Sequence, residues 1–243
     1  MKLGILLFVA SALLSVSCTD SGADHTLTVF AAASLVDPFT EMGRLFEKEN
    51  PGTKVRFNFL ASSELAAQIE LGAKADVFAS ADLSNARRVA QALEMGTPRR
   101  FARNRLAIAV AEGNPLEIQS LTDLEDDELV ISICNPECPA GRYALEVFRN
   151  AGVEVKPDSF EQAATGVVVR VSLGEADAGI AYVTDIGGTT EKVDAVTIPP
   201  RHNVVAEYML LELKGSDSAG EFVDLVLSPE GQEILRQNGF ESR

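Results

Sequence analysis

The stretch Leu27-Thr28-Val29-Phe30-Ala31, with Ala32-Ala33-Ser34 and a helical pattern from Leu35 to Lys48 behind it, decides how the rest of the chain folds. Its first five residues are apolar or β-branched with no polar alternation, the mark of a strand covered on both faces. Ser34 then sits where a helix N-cap belongs, and Pro38 falls in the first turn, where its missing N–H costs nothing. Asn50-Pro51-Gly52 stops that helix. The same junction recurs. Val55–Leu60 runs into Ala61-Ser62-Ser63 and a helix from about Glu64; Pro139-Ala140-Gly141 opens a third helix and Ala163-Ala164-Thr165 a fourth.

Working outward, further strands are expected at Asp76–Ser80, Leu106–Ala111, Leu129–Cys134, Ala178–Tyr182, Val193–Ile198 and Val204–Leu213. Helices are expected at Ser63–Leu71, Ser84–Ala92, Gly141–Asn150, Thr165–Leu173, Ala219–Leu227 and Pro229–Asn238. Ser228-Pro229-Glu230 combines an N-cap, a first-position proline and a first-turn acid, and Gly239 follows the last turn. Strands alternating with helices of this length indicate an α/β protein with mainly parallel sheets. The sequence has no internal repeat.

The chemistry follows from those junctions. In open α/β sheets ligands collect at the carboxyl ends of strands, where helices begin. Each helix start offers unpaired N–H donors and roughly half a positive charge. Several aimed at one point hold an anion without Lys or Arg. Such a site suits this chain, whose 36 acidic and 21 basic residues give a formal charge of −15. That charge argues against nucleic acid as a partner. It also requires an anion to be attracted locally, by donors alone.

Lys2, the apolar run Leu3–Leu14 and Leu14-Ser15-Val16-Ser17-Cys18 read as an export signal, too short for an ordinary membrane span. A Cys after small residues resembles a bacterial lipobox, so residues 1–18 are expected to be a lipoprotein signal segment whose Cys18 is lipidated. Ser15 departs from the usual aliphatic residue, which leaves ordinary cleavage open. Cys134 and Cys138 then remain, an even number in an oxidising compartment, where a local disulfide can form. Two Cys with His25 and His202 make a poor zinc set, so no protein-held metal and no cofactor is expected. A nucleophilic Ser needs a base. Neither His lies in a motif beside Ser34 or Ser62, and no Gly-x-Ser-x-Gly elbow occurs, so an enzyme is not expected.

Val29-Phe30-Ala31-Ala32-Ala33-Ser34-Leu35, Ala61-Ser62-Ser63-Glu64-Leu65-Ala66-Ala67-Gln68-Ile69-Glu70 and Ala75-Asp76-Val77-Phe78-Ala79-Ser80-Ala81-Asp82 closely resemble the periplasmic molybdate-binding proteins of ABC importers, the ModA type. Pro139-Ala140-Gly141, the run Gly174 to Tyr182, and Ser228-Pro229-Glu230-Gly231-Gln232 with Gly239-Phe240 carry the same resemblance, in the family's order. It implies a two-lobed periplasmic-binding-protein fold of type II. Lobe one would hold residues 25–104 plus 205–243 and lobe two residues 105–204, with the strands near Leu106–Ala111 and Val204–Leu213 as hinge. It further implies that Ser34, Ser62 and Tyr182 give hydroxyl contacts and Ala140 and Ala164 backbone N–H contacts to molybdate or tungstate. Ala164 is placed by counting back from Tyr182, where the family commonly has Val-Arg, so that contact is fixed only to within a residue or two. The two cysteines around Pro139-Ala140-Gly141 also depart from the family pattern. The partners implied are an ABC-type permease with its ATPase, and the membrane through the lipid anchor; the protein is expected to be a monomer. Sulfate is the close rival ligand. Phosphate, which keeps a proton at neutral pH, would need an acceptor that this donor set lacks, and Fe³⁺ would need a cluster of Tyr or carboxylate ligands.

Overall fold

A computed structural model describes residues 25–188, 192–213 and 217–243. The expected signal segment and Cys18 lie outside the described residues. β1 (His25–Ala32) leads through a short 3-10 turn (Ala33–Leu35) into α1 (Val36–Glu49), and β2 (Thr53–Leu60) runs into α2 (Ser62–Glu70). β3 (Val77–Ser80), α3 (Leu83–Ala92) and the long β4 (Arg99–Ala111) follow. The middle of the chain forms β5 (Ile131–Cys134), α4 (Pro139–Ala151), β6 (Ser159–Glu161), α5 (Ala164–Ser172), β7 (Ala178–Tyr182), α6 (Val183–Gly187) and β8 (Val193–Thr197). Then come β9 (Val205–Glu212), α7 (Asp217–Leu227), α8 (Pro229–Gln237) and β10 (Glu241–Ser242).

The described strands join into one sheet, ordered β2-β1-β3-β9-β4-β7-β5-β6, with β8 and β10 also on β4. Each end has a parallel trio: β1 lies between β2 and β3, and β5 between β6 and β7. Antiparallel strands join the trios. β9 pairs β3 and the Arg99–Arg105 part of β4, whereas Leu106–Val110 of the same β4 pair β7. One strand therefore serves two half-sheets, changing partners between Arg105 and Leu106. The return crossing lies beside it. The Asn203 side chain donates to the Leu106 carbonyl at 2.8 Å and accepts its N–H at 3.2 Å, filling in for a ladder residue.

β4 starts at Arg99, seven residues before the expected Leu106. Arg99, Arg100, Arg103 and Arg105 break up the apolar pattern, yet Phe101, Ala102 and Asn104 between them are buried. β6, β10 and α6 were not expected either. Three, two and five residues respectively are too few to show a period. The start of α8 has its expected cap: Ser228 Oγ accepts the Gly231 N–H at 3.1 Å, with Pro229 at the first helical position.

β3, β5, β7 and the end of β1 are buried on both faces, which is why they read as largely apolar runs, whereas the edge strands β2 and β6 stay partly exposed. Leu27, Val29 and Ala31 of β1 join the main core, while Phe30 points into a second cluster with Leu65, Ile69, Phe78 and Val89 under α2 and α3. At β7 the packing leaves no room at Gly179, where a Cβ would come 2.3 Å from Val167 Cγ1 and 2.6 Å from the Ser132 carbonyl. The main core is anchored by Phe39 of α1, whose ring lies 5.8–6.4 Å from those of Phe57, Phe101 and Phe222. This cluster fastens α1 and α7 to β2 and β4, and so fixes where α1 begins. Phe39→Ala is expected to cost about 3–5 kcal/mol in chemical denaturation, the range for deleting a fully buried aromatic ring. A loss below about 1 kcal/mol would contradict this role.

Candidate functional site

Helix starts and strand ends, Ala81 after β3 among them, converge between the two half-sheets and line one cavity of about 20 Å³. Ala33 and Ser34 come from the turn before α1, Ala61 and Ser62 from the start of α2, Ala140 from α4, Ala163 and Ala164 from α5, and Tyr182 from the end of β7. Ser34, Ser62, Ala140, Ala164 and Tyr182, the residues singled out from sequence, thus all face the same small space. A single water needs roughly 10–15 Å³ on this measure, so the cavity suits one compact guest of a few atoms. Small side chains at the helix starts let backbone reach it. Gly141 answers to packing against the preceding loop: a Cβ there would lie 2.2 Å from the Asn135 carbonyl and 2.4 Å from that of Cys134. A disulfide joins Cys134 to Cys138, which also lines the cavity, and closes the loop that presents Ala140.

The two serines are not helix caps, contrary to the sequence reading. Ser34 lies inside the 3-10 turn, and the residues at the cap positions of α1 and α2 are Leu35 and Ala61, neither with a side-chain cap. Both hydroxyls are engaged elsewhere. Ser62 Oγ accepts the Ala81 N–H at 2.9 Å, leaving its own proton free to donate. Ser34 Oγ is 2.7 Å from Tyr208 Oη.

Either oxygen can be the donor in that last bond. Asn104 Oδ1 accepts the Arg105 N–H at 2.8 Å, which fixes the amide so that Nδ2 donates to Thr184 Oγ1 at 2.8 Å and to Tyr208 Oη at 3.4 Å. With Asn104 donating to it, Tyr208 can give its own proton to Ser34, an arrangement that frees the Ser34 proton for the cavity. Tyr208 is fully buried, and its ring also stands edge-on to Tyr182, 5.9 Å away. Sequence reading missed Tyr208 and Asn104 as site residues, because a Tyr in an apolar strand and an Asn between arginines carry no signal of their own.

Tyr182 Oη is buried and has no hydrogen-bond partner within the protein. Burial, with smaller contributions from Tyr208, Tyr143, Asp185 and Asp82, pushes its pKa well above the ordinary 10.0, so the hydroxyl keeps its proton. Unpaired buried hydroxyls are costly and uncommon. The N–H groups opening α4 and α5 have no acceptor inside their helices. No acidic side chain is among the lining residues. The cavity is therefore walled by neutral donors contributed from both half-sheets, a setting that takes an acceptor-only guest. It offers no base: His25 is on the exposed start of β1, and His202 Nδ1 contacts the Asn150 carbonyl.

Residues 27–241 match the family of bacterial extracellular solute-binding proteins. A relative from Mycobacterium tuberculosis, named molybdate-binding protein ModA, is 41% identical over 220 residues, covering 89% of this chain and 84% of that one. Among solved structures, the periplasmic molybdate-binding protein of Azotobacter vinelandii matches with a TM-score of 0.76 at 19% identity, covering 89% of this chain and 99% of the other. The sulfate-binding protein SubI of Mycobacterium tuberculosis gives a TM-score of 0.77 at 17% identity, covering 90% and 87%. The fold is that of the periplasmic binding proteins.

Asp185, three residues beyond Tyr182, is the carboxyl most affected by this setting. Burial raises its pKa from 3.8 to about 7, opposed in part by the Tyr182 backbone N–H. Between about pH 4 and 7 the unfolded chain gives up this proton while the folded one keeps it, so the stability it confers is lost as pH rises through that window. Asp185→Asn is expected to flatten that slope and to stabilise the protein at pH 8 by up to about 4 kcal/mol, since each of the roughly three pH units between 3.8 and 7 is worth about 1.4 kcal/mol. Denaturant melts at several pH values check this; an unchanged slope would contradict it.

Proposed function

Since the chain belongs to the bacterial extracellular solute-binding proteins, in their ModA-type branch, we propose that it captures molybdate or tungstate outside the cytoplasm and hands its cargo to an ABC-type permease and its ATPase. The seat is the cavity between two lobes, residues 25–104 plus 205–243 and residues 105–204. Ser34, Ser62 and Tyr182 donate hydroxyl protons to the anion, and Ala140 and Ala164 donate backbone N–H. The observation that carries this reading is the Tyr182 hydroxyl, buried without a protein partner in a cavity free of carboxylates.

The energetics are sufficient. Hydrogen bonds to a charged group contribute about 1.5–3 kcal/mol each. Five of them sum to about 7.5–15 kcal/mol, against the roughly 8 kcal/mol of a micromolar constant, so the upper part of that range leaves a margin for ordering costs. A hydrogen phosphate would bring a proton that meets no acceptor, so the donor-only wall discriminates against it. Sulfate differs from molybdate in size, and the titration below separates them. Because the donors come from both lobes, only the closed form satisfies all the anion's oxygens, and the ligand itself drives closure. Capture and release proceed without covalent chemistry. Residues 1–18 export the chain, and lipidation of Cys18 tethers it, as a monomer, to the membrane that carries the permease.

Calorimetric titration of the mature protein is expected to give sub-micromolar binding of molybdate and tungstate, weaker binding of sulfate and none of phosphate. Sulfate preferred over molybdate would overturn the ligand, and silence for all four the capture function. Tyr182→Phe is expected to weaken molybdate binding about 10- to 100-fold, one charged hydrogen bond. It should not lower the melting temperature of the free protein, because the lost hydroxyl has no protein partner there. Unchanged affinity would remove Tyr182 from the seat.

A further inference from the structure

We propose that the ion pair between Asp82 and Arg142 is a latch that forms as the two lobes close and slows release of the anion; the inference rests on the capture function above. Asp82 is the N-cap of α3 and only 2% exposed. Its Oδ1 accepts the Asn85 N–H and the Ser80 hydroxyl, each at 3.0 Å, and its Oδ2 accepts Asn85 Nδ2 at 3.2 Å and the Arg142 guanidinium. Arg142 lies in the first turn of α4, and its other arm donates to the Glu137 carbonyl at 2.8 Å. Among the described residues this is the ion pair that joins the two half-sheets away from the crossing strands.

Its position ties it to the seat. Ala81, just before Asp82, holds the Ser62 hydroxyl, and Ala140 stands two residues before Arg142. The pair thus links one donor loop of each lobe. With the lobes apart, Asp82 keeps its Ser80 and Asn85 contacts but carries an uncompensated negative charge beside the anion's seat. Closure brings the guanidinium and the anion in together, so that a repelling neighbour becomes a neutral pair at the moment the dianion is enclosed. Removing Arg142 leaves a buried, unpaired carboxylate in the closed state only. That penalty falls on closure, hence on the release rate. An ordinary exposed ion pair would contribute almost nothing, and Arg142, with 39% of its side chain exposed, would then be dispensable.

The test is a chase of bound radiolabelled molybdate, run beside calorimetry, on the full mature protein. Arg142→Ala is expected to release molybdate about 10- to 100-fold faster, with the melting temperature of the free protein unchanged. Arg142→Gln should behave alike and serves if the alanine variant folds poorly. Asp82→Asn combined with Arg142→Ala keeps the α3 cap without a charge and should recover most of the lost affinity. Wild-type release from Arg142→Ala, or a double variant as weak as the single one, would overturn the latch and leave the capture function standing. An unmodified protein that binds no molybdate would overturn both.

Discussion

A dianion enclosed by a protein of net charge −15 is best held by neutral donors that keep their protons at physiological pH and bring no carboxylate with them. Inside a cavity the attraction and repulsion of charges are several times stronger than in water, so each misplaced acceptor is heavily penalised. The proposed seat meets this constraint with helix starts and hydroxyls. Two of the three hydroxyls have a partner beside the seat. The Ala81 N–H occupies an acceptor site of Ser62, Ser34 is bonded to Tyr208, and burial keeps Tyr182 protonated. Asp82, the acidic side chain placed next to Ala81, is offset by Arg142.

The fold serves that arrangement. Two half-sheets share β4, and the crossing at Arg105–Leu106 sits beside the return crossing at Asn203. Asn104 stands at this junction and touches Thr184 on one side and Tyr208 on the other. Polar contacts thus run from the crossing strands to Ser34. The aromatic cluster around Phe39 holds α1 against β2 and β4, which sets the turn carrying Ser34. A movement between the half-sheets changes the cavity directly, because its walls come from both.

Much of this was legible in the sequence wherever a local signal matched the tertiary environment. The apolar run of β1, the cap of α8 and the small residues at Ala61-Ser62 and Pro139-Ala140-Gly141 could be read one segment at a time. What could not be read depends on partners distant in sequence. The Arg99–Arg105 part of β4 is hidden because its outward face is charged and its inward face is completed by β9. Tyr208 meets Ser34 across 174 residues, and Arg142 meets Asp82 across 60. Neither contact leaves a spacing in the sequence. The local pattern Ala-Ala-Ser before a helix is that of a cap, but Ser34 lies inside the 3-10 turn and bonds Tyr208 instead.

The central claim is that neutral donors from both lobes surround one tetrahedral anion. A crystal grown with molybdate tests it most directly through the anomalous signal of the metal. One strong peak is expected inside the cavity, with oxygens about 2.6–3.2 Å from the hydroxyls of Ser34, Ser62 and Tyr182 and the N–H groups of Ala140 and Ala164. A peak elsewhere, or one whose nearest protein neighbours are carboxylates or guanidinium groups, would contradict the account.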